Sequence, residues 1–221
     1  MKQNPILTNQ FWNPRNAYPF GYNYRMVCLS EGFYEQEVTV VARLLLGMRL
    51  VRKNADGRLA GIILETEAYR GEEDLACHAR AGRTHRTAVM YGKAGRAYVY
   101  FTYGMHWMLN VVTGPEGFPA AVLIRSIHPV EGIDQIKSNR NDRPDPHLCD
   151  GPAKICRALN IDGTLNGIAL FDDENSLWIE QGKGVSDLRV RTSPRVGLGK
   201  TPEPWKSIPW RYSVDCRDLI N

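Results

Sequence analysis

The chain has 221 residues, of which 43% are hydrophobic and 10% aromatic, enough for the core of one globular domain. Its formal net charge of +4 permits an anionic partner without requiring one. Five scattered cysteines with no C-x-x-C pair argue against a zinc ribbon or a thioredoxin-type site and indicate the reduced thiols of a cytosolic protein. The N-terminal stretch MKQNPILTNQFWNPRN lacks a sustained apolar run, so we expect neither a signal peptide nor a membrane anchor.

The N-terminal part of the chain predicts an arm followed by a helix. Residues 1–27 are rich in Asn, Pro and aromatic side chains and show no regular period, so we expect an irregular arm there and one domain over residues 28–221. After Ser30, apolar residues recur at helix spacing from Phe33 to Leu45, and Gly47 supplies a stop.

A β-hairpin follows, in which MRLVRK and LAGIILETEAY are joined by ADGR. The period of two in the second strand points one set of side chains toward a core: Ile62, Leu64, Thr66 and Ala68. The other set carries two carboxylates and a phenol: Ile63, Glu65, Glu67 and Tyr69. The two acids are about 7 Å apart along the strand.

Two interpretations of these acids compete. On an exposed edge strand they would simply pair with nearby arginines. At a cleft, one would act as a general base or nucleophile and the other as a supporting charge. Tyr69 favours the cleft, because a phenol in line with the acids offers a flat face to a planar ligand.

The central part of the chain is a long basic run followed by three strands. The stretch from Arg70 to Gly95 is too long for a plain turn, and loops of this length in compact domains are usually functional. YVYFTY, MLNVV and AAVLIRSI then predict strands, with Tyr103 at or next to the tip of the first connection. Further along, Asp150 is expected to cap a helix that has Pro152 in its first turn. Segregated helices and strands predict an α+β fold.

The hairpin and the basic run also have two interpretations. The tyrosines could be core aromatics with one surface tyrosine, and the basic run could be a solvated loop. Alternatively, a rigid hairpin with an aromatic residue at its tip has the shape of a wedge that can enter between stacked bases. Lysines and arginines beside it would then contact phosphates.

Several missing motifs narrow the chemistry. The sequence has no H-x-E with P-C-x-x-C, which excludes the zinc nucleobase deaminases. It also has no G-x-x-x-x-G-K-[ST], G-x-G-x-x-G or G-x-S-x-G. We therefore expect no cofactor and no metal, and chemistry that uses side chains and water.

Seven segments together resemble the alkyladenine (3-methyladenine) DNA glycosylases of the mammalian AAG type. They are ARLLLGMRLVR, ETEAYRGEEDLACHARAGRTHRTAVMYG, YVYFTYGMHWMLNV, VLIRSIHPVEG, DGPAKICRAL, PRVGLGK and PWRYSV, and the similarity extends over about residues 28–216. The resemblance implies a single α+β domain without a metal. Its curved, mainly antiparallel β-sheet is flanked by helices, and a protruding β-hairpin enters the DNA minor groove.

The resemblance implies catalytic roles for two residues. Glu67, the second acid of ETEAY, matches the general base that activates the water attacking C1′ of the damaged nucleotide. Arg125 matches a residue beside that water and the phosphate of the flipped nucleotide. Glu65 then becomes a supporting acid.

A base pocket and a DNA-contacting surface are also implied. The pocket positions are Tyr69, His78, Tyr100, Asn110 and Leu123. Tyr103 matches the intercalating residue that fills the space left by the flipped nucleotide. Further DNA contacts are expected from Met105, Arg83, Arg86 and Lys93. Thr87 and Ala81 depart from the usual Asn and Gly of the family, which affects the loop and leaves the catalytic positions unchanged.

The implied function is that of a monofunctional DNA N-glycosylase that starts base excision repair. Its partner would be double-stranded DNA containing damaged purines, namely 3-methyladenine and 7-methylguanine, with hypoxanthine and ethenoadenine left open. A monomer is expected, in the nucleoid-associated cytoplasm of a prokaryote or the nucleus of a eukaryote, and not at a membrane. The alternatives are a non-catalytic binding module for distorted or structured nucleic acid and a small-molecule hydrolase with a carboxylate pair. The first does not require a carboxylate that faces an anionic partner, and the second explains neither the wedge nor the basic loop.

Overall fold

The computed structural model describes residues 27–55, 57–144 and 147–220. The predicted arm over residues 1–27 lies outside the described residues, apart from Val27, so the arm and its boundary stay predictions. Within the described ranges, no helix is both long and apolar enough to cross a lipid bilayer.

The predicted α+β class with a curved, mainly antiparallel sheet is confirmed. Eight strands form one sheet in which every pairing between strands is antiparallel. The strands are β1 (Arg49–Asn54), β2 (Gly57–Arg70), β3 (Ala97–Thr102), β4 (His106–Val112), β5 (Ala120–Glu131), β6 (Leu177–Glu180), β7 (Arg191–Ser193) and β8 (Arg211–Ser213). The main path runs β3-β4-β5-β2-β1-β6, and β8 pairs with β2 and β7. The long strand β2 therefore lies at the centre of the sheet.

Short helices flank the sheet. They are α1 (Glu31–Tyr34), α2 (Val38–Leu44), α3 (Ile133–Asn139), α4 (Pro152–Ala158) and α5 (Arg217–Ile220), with 3-10 helices at His78–Ala81, Ala88–Tyr91, Gly163–Leu165 and Asp187–Arg189. Helices α2 and α4 pack on strands β2, β4 and β5 and cover the main core. Each fully buried Leu or Ile of this core contributes about 1.5–3 kcal/mol.

Two helix predictions were wrong in detail. The apolar spacing from Phe33 to Leu45 predicted one helix, whereas the structure has α1 and α2. The carboxylate of Glu37 accepts hydrogen bonds from the backbone N–H groups of Thr39 and Val40, so it caps a second helix and interrupts the first. Asp150 does not cap α4, because its carboxylate binds His147 and Lys154 instead.

The predicted faces of β2 were correct for its second half only. Ile63 is fully buried in the core, whereas Ile62 and Leu64 are partly exposed. The register passes from Ile63↔Ile127 to Glu65↔Ser126 and then to Thr66↔Ile124, so it skips Leu64 on β2 and Arg125 on β5. A bulge of this kind shifts the inside–outside alternation by one residue. Beyond it Thr66 and Ala68 are buried as predicted, and the bulge lies beside the two acids.

The β3–β4 hairpin places its tip in solvent. Tyr103 and Gly104 both have positive φ values, 53° and 67°, and the backbone N–H of Met105 donates to the carbonyl of Thr102 at 3.2 Å, so the chain reverses within the three residues between β3 and β4. The side chain of Tyr103 is 82% exposed and that of Met105 is 68% exposed. The tip therefore presents two large apolar side chains at the end of the paired strands β3 and β4.

Candidate active site

A cavity of about 320 Å³ opens between the β3–β4 hairpin, the end of β2 and the segment 196–198. Seven of the predicted site residues line this cavity. They are Tyr69, His78, Tyr100, Tyr103, Asn110, Leu123 and Arg125. Its volume is within the range typical of small-ligand pockets. The positions predicted for the base pocket thus line one concavity with aromatic walls.

The aromatic wall is built from residues far apart in the chain. The rings of His78 and Tyr100 meet edge to face, with centroids 4.5 Å apart, and Tyr98 lies 5.3 Å from Tyr100. His78 opens the 3-10 helix His78–Ala81, and its Nδ1 is 3.0 Å from the hydroxyl of Tyr98. These contacts fix the ring planes that a planar ligand would meet.

His78 is held neutral. Burial lowers the pKa of its imidazole to about 4, and the positive charges of Arg86 and Arg80 contribute in the same direction. At neutral pH the pocket therefore presents an uncharged imidazole, which does not repel a cationic ligand.

Glu67 is a fully buried carboxylate beneath this cavity. Its Oε1 accepts the backbone N–H of Val196 at 2.6 Å, and its Oε2 accepts the hydroxyl of Tyr69 at 2.8 Å. Burial raises the pKa of Glu67, while the charge of Arg125 and these two hydrogen bonds oppose the rise. The ionised form thus depends on its three partners.

Arg125 connects the two acids that the sequence singled out. Its Nε lies 2.8 Å from Oε1 of Glu65, whereas its contacts with Glu67 are longer, 3.4 Å from each oxygen. Glu65 also pairs with Arg211 at 2.9 Å. Glu65 therefore holds Arg125 beside Glu67 and is not an exposed edge-strand acid.

Glu67 itself is not part of the cavity lining. Its side chain has no solvent exposure, whereas its partners Tyr69, Arg125 and Val196 all line the cavity. The carboxylate thus contacts three residues of the lining without being part of it.

The sheet register explains the position of two further pocket residues. Leu123 on β5 lies opposite Glu67 on β2 and opposite Asn110 on β4, so the three form a row across the sheet. Asn110 is buried and donates its Nδ2 to the carbonyl of Tyr98 at 3.1 Å, which fixes the direction of its amide.

The four residues predicted to contact DNA lie outside the cavity lining. Met105 is at the hairpin tip, and Arg83, Arg86 and Lys93 are exposed. The guanidinium groups of Arg83 and Arg86 lie over the rings of Tyr91 and Tyr100, at 5.9 and 4.8 Å from the ring centres. The loop is ordered around Thr87, which is buried and donates its hydroxyl to the carbonyl of Gly82.

Sequence reasoning missed several residues at the site. Further lining residues include Cys77, Met90, Tyr98, Met108, Val196 and Leu198. A buried ion pair between Arg195 and Asp74 also lies next to Tyr69. The segment PRVGLGK marked the family resemblance, but nothing in its composition indicates that its arginine is buried. Among the described residues, no group of three His, Cys, Asp or Glu side chains is arranged to hold a metal ion.

Comparison with known proteins decides the family. A family model described as "Methylpurine-DNA glycosylase (MPG)" matches residues 32–217. The chain belongs to the methylpurine-DNA glycosylase family. The protein is thus a DNA glycosylase, a hydrolase of DNA repair, as the resemblance implied.

Relatives of this glycosylase carry consistent names. Proteins named "Putative 3-methyladenine DNA glycosylase" are similar over most of the chain. The protein of Carboxydothermus hydrogenoformans is 44% identical over 193 residues, 87% of this chain and 98% of the relative. That of Prosthecochloris aestuarii is 45% identical over 190 residues, 86% of this chain and 88% of the relative. That of Methanocella arvoryzae is 43% identical over 188 residues, 85% of this chain and 92% of the relative.

Proposed function

We propose that this glycosylase binds duplex DNA as a monomer, turns an alkylated purine into the cavity and hydrolyses its N-glycosidic bond with a water activated by Glu67. The bond between C1′ and the purine nitrogen breaks, and its electron pair leaves with the base. The water oxygen bonds to C1′, and its proton passes to Glu67. The products are the free purine and an abasic site in the DNA. The abasic site is the starting point of base excision repair.

The observation that carries this proposal is the environment of Glu67. A buried carboxylate with a raised pKa, adjacent to an aromatic cavity, suits a general base better than a structural acid. Its two short hydrogen bonds, to Val196 and Tyr69, fix its orientation. Its two contacts with Arg125 are 3.4 Å long, so they are the contacts that a water molecule replaces at least cost.

Arg125 has a place in the same step. The short bond to Glu65 holds its guanidinium in position when water enters between it and Glu67. Donors on Arg125 then orient the water and face the anionic phosphate of the flipped nucleotide. Glu65 acts through Arg125 and does not touch the substrate.

The cavity favours cationic bases. Methylation at N3 of adenine or N7 of guanine gives the ring a positive charge, which also makes it a better leaving group. The ring faces of Tyr69 and Tyr100 opposite the guanidinium groups of Arg195 and Arg86 attract such a cation by about 0.5–2 kcal/mol, and the neutral His78 does not oppose it. We therefore place 3-methyladenine and 7-methylguanine first. Hypoxanthine and ethenoadenine are neutral and need hydrogen-bond recognition as well.

The exposed hairpin tip fits the role of a wedge. Tyr103 would fill the space of the extruded nucleotide and offset part of an unstacking cost of a few kcal/mol, with Met105 beside it. Arg83, Arg86 and Lys93 would contact phosphates.

Among the described residues that line the cavity there is no lysine to form a Schiff base, which favours a monofunctional reaction. The relatives reported above are prokaryotic, which favours a nucleoid-associated cytoplasmic enzyme.

Base release from defined substrates tests the proposed activity. The protein is incubated with methylated duplex DNA, and the released bases are separated by chromatography. In parallel, duplexes with one hypoxanthine or ethenoadenine are treated with alkali and run on a gel. We expect release of 3-methyladenine and 7-methylguanine, with strand breaks only after alkali. Binding to lesion duplexes without release of any base would contradict hydrolysis and return the assignment to a non-catalytic binding module.

A further inference from the structure

The buried ion pair between Arg195 and Asp74 takes no part in the chemistry proposed above. The two side chains have no solvent exposure, and the guanidinium binds both carboxylate oxygens, at 2.5 and 2.9 Å. Arg195 also donates to the carbonyls of Ala68 and Trp205, at 3.0 and 3.1 Å. One arginine thus ties together strand β2, the loop that follows it and the segment before β8.

Arg195 is linked to both short hydrogen bonds of Glu67. Its neighbour in the chain, Val196, donates the backbone N–H that Oε1 of Glu67 accepts. Its guanidinium lies 4.7 Å from the ring centre of Tyr69, whose hydroxyl donates to Oε2 of the same carboxylate. The other donor, Arg125, is held separately by Glu65.

We infer that Arg195, locked by Asp74, is the positioning residue of the site: it holds the backbone N–H of Val196 and the ring of Tyr69 where they orient Glu67 and keep it ionised. This inference rests on the proposed role of Glu67 as the general base. Arg195 does not line the cavity, so it acts through the carboxylate and not on the purine.

The shape of arginine is what this role requires. A planar guanidinium can bind a carboxylate with two parallel bonds while its face lies on an aromatic ring, and it remains charged. Trp210 covers the same guanidinium, 5.2 Å from its ring centre. A lysine keeps the charge but can neither stack in this way nor form the paired bonds. Arg195→Lys therefore separates the positioning of the two donors from the electrostatic effect of the charge.

The experiment measures release of 7-methylguanine from methylated duplex DNA under single-turnover conditions, across the pH range in which the enzyme is folded. In Arg195→Lys, two of the three groups that lower the pKa of Glu67 are loosened, namely the backbone N–H of Val196 and the hydroxyl of Tyr69. We expect the acid limb of the rate profile to move up by about one pH unit and the plateau rate to fall by about 100-fold. Binding of lesion DNA should be little changed.

The matched control is Arg58→Lys. Arg58 also pairs with a buried carboxylate, Glu180, at 2.6 Å and lies 5.6 Å from the ring centre of Trp178, but on the β1–β2–β6 side of the sheet. It should lower thermal stability and leave the acid limb in place. An acid limb that is the same in Arg195→Lys, Arg58→Lys and the unmodified enzyme would overturn the inference, because it would leave Arg195 only a structural role.

A second variant covers the case in which Arg195→Lys does not fold. The double substitution Arg195→Met with Asp74→Asn removes the pair without leaving a single buried charge. It should fold and show the same raised acid limb. If neither variant folds, Arg195 serves the fold as a whole and the inference is wrong. Failure of the proposed function looks different: Glu67→Gln would then keep normal turnover, whatever the arginine variants do.

Discussion

The hydroxyl of Tyr69 donates a hydrogen bond of 2.8 Å to Oε2 of Glu67, from a position two residues further along the same face of β2. The phenol thus contacts the buried acid at one end and lines the cavity with its ring. Burial and Glu67 raise the pKa of Tyr69 well above its ordinary value, so its hydroxyl keeps its proton and remains a hydrogen-bond donor at every working pH. One side chain therefore contacts both the proposed general base, Glu67, and the proposed purine pocket.

Tyr69→Phe should separate these two roles. The ring remains and the hydrogen bond that lowers the pKa of Glu67 is lost, so that pKa rises further. A hydrogen bond to a charged group contributes about 1.5–3 kcal/mol, so we expect the acid limb of 7-methylguanine release to move up by about one unit or more. The control is Tyr91→Phe, which removes a comparable bond to Glu72 outside the cavity. Equal profiles for the two variants would contradict the coupling between Tyr69 and Glu67.

The buried Glu67 also has a predicted cost in stability. Its pKa is raised in the folded protein, so the ionised carboxylate destabilises the fold once the pH exceeds the unfolded value of about 4.3, and this cost is complete above the folded pKa. Glutamine is neutral at all these pH values. The difference in melting temperature, Glu67→Gln minus the unmodified protein, should therefore be more positive at about pH 7.5 than at about pH 4.

Calorimetry at the two pH values checks this prediction, with the exposed Glu116→Gln as the control for loss of one negative charge. A difference between Glu67→Gln and the unmodified protein that does not change with pH would show that the pKa of Glu67 is not raised.

His78 should stay neutral far below the usual range of histidine. Its pKa is lowered to about 4 by burial and by Arg86 and Arg80. An NMR titration of its imidazole should show no protonation near pH 6.5, the unperturbed value. In Arg86→Gln the midpoint should move upward, because one of the causes of the lowering is removed. A midpoint near 6.5 in the unmodified protein would contradict the lowered pKa of His78.

Tyr103→Ser should weaken DNA binding without affecting the fold. The side chain is 82% exposed, so the free energy of unfolding should change by less than about 0.5 kcal/mol. Loss of the wedge should reduce extrusion of the lesion, measured by the fluorescence of a base analogue placed beside it. Leu188→Ser removes an even more exposed apolar residue away from the cavity and serves as the control. An unfolded Tyr103→Ser protein would place this residue in the core.

Parts of the fold and site could be predicted from sequence because their signals are local. Residues two apart on a strand share a face, so Tyr98, Tyr100 and Thr102 of β3 lie on one face, and all three line the cavity. The same rule failed at Ile63, because the paired bulges at Leu64 and Arg125 arise between two strands distant in sequence. The apolar spacing from Phe33 to Leu45 predicted one continuous helix, but the carboxylate of Glu37 caps a second helix and so interrupts the first. Arg195 had no local signal, since its burial depends on Asp74, more than a hundred residues earlier.

The measurement that tests the central claim most directly is a paired assay of Glu67→Gln. Its affinity for a duplex with a single lesion and its single-turnover release of 7-methylguanine are measured on the same preparation. Glutamine has nearly the same shape but cannot accept the proton of water. We expect affinity within a few-fold of the unmodified enzyme and a rate of release lower by about 100-fold or more. Release at the normal rate with affinity unchanged would show that another group activates the water.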